Sequence, residues 1–164
     1  MHTRPEQAKQ VWTDRDFDQM GWHDAVVHGL ANGPGDYEFA LDIDYILEWV
    51  KPAEGSRYFN FWVAPATLVF ENVSELRIDL EPRDGISVQD LNRSDLQPTR
   101  PGFEGPDSHW LWTLECNEGV VSLRATGFRQ TFRRSPVSCN AQKLDLKTRG
   151  GISFSEIVVA DVSP

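Results

Sequence analysis

The chain has 164 residues, of which 40% are hydrophobic and 25% are charged, and its formal net charge is −9. This length and composition are typical of one folded domain and exclude an intrinsically disordered chain. The negative charge speaks against a nucleic-acid partner, because phosphate affinity comes mostly from clustered Lys and Arg side chains.

The charges are unevenly distributed along the chain. Residues 1–118 carry 9 basic and 22 acidic side chains, whereas residues 119–164 carry 7 basic and 3 acidic ones. Pairing of C-terminal strands with N-terminal ones would explain this asymmetry by internal neutralisation. The arginines available for it are Arg124, Arg129, Arg133 and Arg134. The other explanation is an acidic face that binds a partner.

The N-terminal segment gives no sign of export. Residues 1–9 are polar, and no stretch of the chain approaches the roughly 20 apolar residues that span a bilayer. We therefore expect a cytoplasmic protein with no membrane partner, in which residues 1–10 are flexible. Cys116 and Cys139 are expected to be free thiols, and neither belongs to the CxxC pair typical of zinc sites.

The first predicted elements are a short helical segment and a β-hairpin. Thr13 is a typical N-cap, and the acidic residues after it favour a helical turn over residues 13–20. From Asp24 the hydrophobic period changes to two, which predicts a strand over residues 24–30. The turn at 32–36 and the alternation over 38–45 complete the hairpin.

Further strands are predicted in the second third of the chain. Residues 57–64 and 66–73 read as two strands separated by Pro65, because proline disrupts a strand interior. Residues 75–80 alternate between apolar and charged side chains. Residues 82–106 are rich in Pro, Gly and Asp and predict an excursion with one short strand.

The C-terminal third adds four β-rich runs. These runs are residues 109–116, 119–127, 128–134 and 150–159. Short sequential strands separated by turn signals predict a mainly-β fold, namely a single-domain antiparallel β-sandwich or open barrel over residues 1–164 with a short N-terminal helical segment.

A histidine and aspartate cluster is the densest candidate for chemistry. Its members are His23, Asp24, His28, Asp42 and Asp44. Imidazole beside carboxylate suits a metal-dependent or acid/base hydrolase. However, Asp24 and His28 would lie roughly 13 Å apart on one strand, and His23 would point to the opposite face from His28. We therefore favour a structural role for His23 and Asp24, hydrogen-bonded to a neighbouring loop.

An acidic row follows the second predicted strand. Asp42 and Asp44 point to one face about 7 Å apart, as a hard-metal or glycosidase site would require, and Glu38 lies in the same row. Solvent-facing acids on a half-buried strand are the more common origin of such spacing. Three like charges repel, so the row predicts neutralisation by a cation, a basic strand or a partner.

Aromatic residues offer a third possibility, a carbohydrate-binding module. The chain has six Trp. Trp110 and Trp112 share one strand face, as do Tyr58 and Trp62, and such rows stack on sugars. Core packing is favoured because the run around Trp62 is apolar on both faces. No GxSxG, P-loop or HExxH motif is present, so we assign neither a catalytic residue nor a cofactor.

The segments WHDAVVHGLA, YEFALDIDY and ATLVFENVSELRIDL resemble those of a group of small bacterial proteins with an HDA-type segment at an early strand. Some members of that group look like immunity proteins encoded beside toxins. The resemblance covers about residues 12–80 and implies a β-rich fold and, for part of the group, toxin neutralisation by direct binding.

These observations favour a non-enzymatic, immunity-like bacterial protein-binding domain over an enzyme. The expected contact surface is acidic, comprises Glu38, Asp42 and Asp44, and meets a basic protein.

Overall fold

A computed structural model describes residues 3–5 and 9–161 of the chain. The expected flexibility of residues 1–10 falls partly on residues 1, 2 and 6–8, which lie outside the described ranges. The mainly-β prediction is confirmed, since 51% of the described residues are in strands and 6% in helices. No helix in the described part is long and apolar enough to cross a bilayer.

Ten strands and two short helices make up the described fold. The strands are β1 (Val11–Thr13), β2 (Val26–Asn32), β3 (Phe39–Val50), β4 (Asn60–Glu71), β5 (Ser74–Leu80), β6 (Ile86–Pro98), β7 (Ser108–Cys116), β8 (Gly119–Ala125), β9 (Gly127–Phe132) and β10 (Val137–Cys139). The helices are a 3-10 helix at Asp14–Gln19 and α1 at Leu146–Arg149.

All ten strands belong to one antiparallel sheet that is not closed. Its order is β1-β9-β4-β3-β2-β6-β7-β8-β5, and β10 lies beside β4. Only two residue pairs join β2 to β6, Val26 with Ser87 and Val27 with Ile86. This short junction divides the sheet into a first half (β1, β9, β4, β3, β2 and β10) and a second half (β6, β7, β8 and β5).

The main core lies between the inner faces of the two halves. Leu41 and Phe70 of the first half are buried in one cluster with Trp112 and Leu123 of the second half. A smaller cluster, in which Leu144 is buried, lies on the outer face of the first half. The first half is therefore covered on both faces, as a near-continuous run of buried residues in β3 and β4 requires.

The segment predicted to be helical over residues 13–20 is a 3-10 helix at Asp14–Gln19. Thr13 is its N-cap, and the Asp16 carboxylate accepts a hydrogen bond from the backbone N–H of Thr13, which completes a capping box. Phe17 packs against Trp22 and Trp112 with ring centroids 5.7 and 5.5 Å away. The helix thus packs the Phe17 side chain against the main core.

The prediction of two strands separated by Pro65 is wrong, because β4 continues through this residue. On one side β4 pairs with β3 throughout. On its other side, β4 pairs with β9 from Ala66 onward and with β10 up to Val63. Pro65 therefore lies at the junction between two neighbouring strands, where a missing N–H breaks no ladder.

Three other boundaries differ from the sequence prediction. The excursion over 82–106 contains a 13-residue strand, β6. The run 150–159 is not a strand; from Ser153 onward it has no regular structure, and it crosses the outer face of the first half. The first long strand begins at Val26 rather than Asp24, because Asp24 has a φ of 63°, which is incompatible with a strand.

Candidate functional site

The predicted acidic row on β3 is buried. Asp42 and Asp44 project from the outer face of β3, opposite the main core, and the C-terminal segment of residues 139–159 covers them. Both residues are 0% exposed. The expectation that they form a partner surface is therefore wrong, since no atom of either side chain reaches solvent.

Arg149 neutralises both carboxylates at once. Its Nη1 and Nη2 donate to the two oxygens of Asp42 at 2.8 and 2.6 Å, and its Nε donates to Asp44 at 3.0 Å. The Arg149 side chain is itself 0% exposed. Helix α1 sets its position, with Asp145 as N-cap and Gly150 as a left-handed C-cap at φ 79°.

The remaining acceptor positions of the two carboxylates are also occupied. Asp42 accepts from Arg133 Nη2 at 2.7 Å and from the backbone N–H of Ser153 at 2.9 Å. Asp44 accepts from the backbone N–H of Leu144 at 2.8 Å. All four carboxylate oxygens therefore have a donor, as buried charges require.

The charge state of this cluster follows from these contacts. Burial opposes ionisation of Asp42, but hydrogen bonds from Arg149, Ser153 and Arg133 outweigh it, and the pKa of Asp42 lies below its ordinary value. Burial likewise opposes the charge of Arg149, yet its carboxylate partners raise its pKa. The cluster therefore pairs its acids with arginines inside the protein, and its burial leaves no access for a substrate.

His28 joins the cluster through a contact that the sequence spacing did not reveal. Its Nε2 lies 2.8 Å from Asp44 Oδ2, and its side chain is 14% exposed. The two residues meet because β2 and β3 are adjacent antiparallel strands that place Val26 opposite Asp44. A strand pairing, not a spacing along the chain, therefore creates the pair.

His23 and Asp24 lie in the turn before β2, away from the buried carboxylates. Asp24 accepts from Gln142 Nε2 at 2.8 Å, and its own N–H donates to Val88. His23 is 71% exposed, with Nδ1 3.2 Å from Asp24. The five predicted residues are thus divided between two places, and the described part of the chain contains no group of three or more His, Cys, Asp and Glu arranged to hold a metal.

Glu38, the third member of the predicted row, is also paired internally. Arg129 donates to its two carboxylate oxygens at 2.8 and 3.1 Å. This hydrogen bonding lowers the pKa of Glu38. Internal neutralisation of the acidic strand by C-terminal arginines is therefore confirmed for Arg129 and Arg133, whereas Arg124 pairs with Glu75 and Asp95 instead.

A second acidic row lies on the outer face of the second half of the sheet. Asp90 of β6 is directly opposite Glu115 of β7, Glu115 is opposite Val120 of β8, and Val120 is opposite Asp79 of β5. All four residues are exposed. None of the three acids has an ion-pair partner within residues 3–5 and 9–161. We call Asp79, Asp90 and Glu115 the exposed acidic row.

The face around this row is polar and uncovered by any described segment. The next cross-strand row is Asn92, Thr113, Ser122 and Arg77. Sequence reasoning missed the exposed acidic row because β6 was not predicted as a long strand. Without the registers of β6 and β5, the three acids are 36 residues apart at their extremes and show no common pattern.

The residues of the predicted aromatic rows differ in solvent exposure. Trp112 is 1% exposed and belongs to the core, as predicted. In contrast, Tyr58 is 81% and Phe59 42% exposed, so the expectation that Phe59 is buried is wrong. Trp49 is 43% exposed and packs edge-on against Phe59 and Phe61. Trp49, Tyr58 and Phe59 lie near the end of β3 and the start of β4, and we call them the exposed aromatic cluster.

A depression of about 370 Å³ lies elsewhere, and Tyr37, Phe103 and His109 are among the residues that line it. None of the five predicted cluster residues reaches it. Cys116 and Cys139 are free thiols, as predicted. Burial raises the pKa of the Cys116 thiol to about 11, which makes it a poor nucleophile.

Comparison with protein families, with curated proteins and with solved structures found no match in any of the three.

Proposed function

We propose that this protein is a non-enzymatic protein-binding domain that recognises a basic partner through the exposed acidic row. The observation that carries the proposal is the direct opposition of Asp90 and Glu115 on an uncovered sheet face. Like charges directly opposite each other destabilise a sheet. Neither Asp90 nor Glu115 has a positively charged partner in the described residues. Such an uncompensated pair is expected where a binding partner supplies the positive charge.

The buried row gives the contrast that supports this proposal. Asp42 and Asp44 are also adjacent acids on a sheet face, and three positively charged or N–H donors compensate each of them inside the protein. The chain therefore has arginines available for neutralisation and uses them on the first half of the sheet. On the second half, Asp90 and Glu115 lack such compensation.

The sequence resemblance to immunity-like proteins supports a toxin as the class of partner. Neutralisation by direct binding needs a stable, charge-complementary face rather than a catalytic cleft. A flat outer sheet face with a polar surround fits that requirement. We infer a cytoplasmic location from the same resemblance, where such an inhibitor would meet its target.

A defined basic probe tests the proposal without knowledge of the natural partner. A lysine-rich peptide should bind the intact protein with an affinity that falls steeply with salt. Carbodiimide cross-linking of bound peptide, followed by peptide mapping, should place the cross-links at Asp90 and Glu115. The double substitution Asp90→Asn and Glu115→Gln should weaken binding.

A matched control separates a local site from net charge. Glu48→Gln with Glu54→Gln removes two exposed acids from another part of the surface and changes the net charge equally. Peptide binding that both double variants weaken to the same extent, or cross-links spread over all exposed acids, would contradict the proposal.

A second candidate function is carbohydrate binding by the exposed aromatic cluster. Trp49 is held by edge-on contacts with Phe59 and Phe61, and a rigid, half-exposed indole suits stacking on a sugar ring. Titration of the protein with a panel of soluble oligosaccharides should then quench tryptophan fluorescence, and Trp49→Ala should abolish the change. No saturable response to any sugar would remove this candidate.

A further inference from the structure

The free edge of β5 is exposed and carries apolar side chains. β5 is one end of the unclosed sheet and pairs only with β8 in the described chain. Its apolar residues remain half-exposed at that edge, since Leu76 is 37% and Ile78 51% exposed. The register of β5 with β8 is irregular between Ser74 and Arg77 and regular from Arg77 to Leu80. An edge strand with exposed apolar side chains is a template for pairing with another strand.

The backbone of β5 presents its unused hydrogen-bonding groups at Ile78. Just beyond β5, the N–H of Glu81 donates to the carbonyl of Glu118 on the β8 side at 2.9 Å. Hydrogen-bonded pairs alternate along an antiparallel ladder, so Asp79 and Arg77 also face β8 with their backbone groups. The N–H and C=O groups of Ile78 and Leu80 therefore point outward, toward the free edge.

The side chains of β5 are complementary to their own two-fold mates. When two β5 strands pair antiparallel about an axis at Ile78, Ile78 lies opposite Ile78 of the other copy. Arg77 then lies opposite Asp79, and Leu76 opposite Leu80, on both sides of the axis. Neither Arg77 nor Asp79 has an ion-pair partner within the described ranges, so both charges are free for this contact.

We propose that the protein forms a two-fold symmetric homodimer by antiparallel pairing of β5 with β5 of a second copy. The central pair exchanges two backbone hydrogen bonds, because Ile78 has both groups pointing outward. Two Arg77–Asp79 pairs flank it on the outer face, and the Ile78 and leucine side chains meet on the inner face. The interface is small, and we expect a dissociation constant in the micromolar range.

The dimer would join the two second halves into one continuous eight-stranded face. Asp90 and Glu115 of each copy lie on β6 and β7, three and two strands from β5, and stay free. The dimer and the proposed function share Asp79, but their tests are separate, because peptide binding is tested at Asp90 and Glu115 and dimerisation at Arg77, Ile78 and Asp79.

Sedimentation equilibrium of the full chain over a wide concentration range tests the dimer. Arg77→Asp alone, or Asp79→Arg alone, places like charges opposite each other and should raise the dissociation constant roughly ten- to a hundredfold. An equimolar mixture of the two single variants should recover dimers, because each Asp then faces an Arg. The double swap Arg77→Asp with Asp79→Arg should restore the homodimer.

Two further variants separate the edge contact from folding. Ile78→Pro removes only an outward N–H and should abolish dimers while the circular dichroism spectrum stays that of the parent. Glu115→Arg, an equal charge reversal on the same face but on β7, should leave dimerisation unchanged. A parent protein that stays monomeric at every concentration, or a double swap that folds and yet stays monomeric, would overturn the proposal.

Discussion

The two acidic rows lie on outer faces of the same sheet, and they have opposite surroundings. On the first half, residues 139–159 cover Asp42 and Asp44, and Arg149 and Arg133 neutralise them. On the second half, nothing described covers Asp90 and Glu115, and no cation meets them. Neighbouring acids on a sheet face are therefore compensated inside the protein in one place and, in our proposal, by a partner in the other, and the covering segment makes the difference.

Removal of Arg149 should have the largest effect on the buried row. Arg149→Met leaves two carboxylates buried without their main partner, and breaking a buried pair in this way costs about 3–5 kcal/mol of unfolding free energy. Urea unfolding followed by tryptophan fluorescence measures this loss. Arg124→Met, which removes ion pairs to two largely exposed acids, should cost at most about 1 kcal/mol. Equal losses in the two variants would show that the buried ion pairs of Arg149 contribute no more to stability than the exposed ion pairs of Arg124.

Acid should destabilise the protein through Asp42. Its pKa is lower in the folded state than in the unfolded state, so the unfolded state binds more protons in acid. The stability that Asp42 contributes is therefore present above about pH 4 and is lost as pH falls through its folded-state pKa. Melting temperatures measured between neutral pH and acid should fall less steeply for Asp42→Asn than for the parent. Parallel curves would contradict this account.

Asp24 and His23 should differ from each other, although both were predicted to be structural. Asp24→Ala removes the acceptor of Gln142 and a residue type that tolerates positive φ, so it should cost about 1–3 kcal/mol. His23→Ala removes a side chain that is mostly exposed and should change stability by no more than about 0.5 kcal/mol. Thermal unfolding of both variants checks the order. A larger loss of stability for His23→Ala than for Asp24→Ala would show that His23, not Asp24, stabilises this turn.

Charge reversal in the exposed acidic row should have the smallest effect on stability. Unlike the substitutions above, it should stabilise the protein. Glu115→Lys replaces a repulsive cross-strand pair with an attractive one and should stabilise the sheet by about 0.2–1 kcal/mol. The same substitution should weaken binding of a lysine-rich peptide. Differential scanning calorimetry and peptide titration measure the two effects on one sample. Destabilisation would mean that Glu115 has a structural partner after all.

Local pattern was sufficient to predict much of the fold. The period-two alternation around residues 24–30 and 38–45 predicted β2 and β3 to within two residues at their starts, because a strand with one polar row shows its own periodicity. The charge asymmetry also predicted that C-terminal arginines neutralise the acidic strand. Both signals depend on residue type alone, and neither needs a known strand order.

The rest depended on contacts between distant parts of the chain. Whether Asp42 faces water or protein is decided by residues 139–159, whose β-like composition wrongly predicted a strand over 150–159. Pro65 is tolerated only because β9 ends and β10 begins beside it. The opposition of Asp90 and Glu115 needs the register of two strands. These features depend on strand order and register, which the hydrophobic periodicity of a single segment does not reveal.

The separation of Arg149 from Asp42 by 107 residues has a consequence for how the protein folds. Formation of that contact requires closure of a very long loop, and such contacts form late because their entropy cost comes before their gain. During synthesis, the β3 carboxylates stay in water at least until residue 149 has been made. We therefore expect docking of the C-terminal segment to be the final and rate-limiting event of folding, with the acids of β3 still accessible to protons and cations before it.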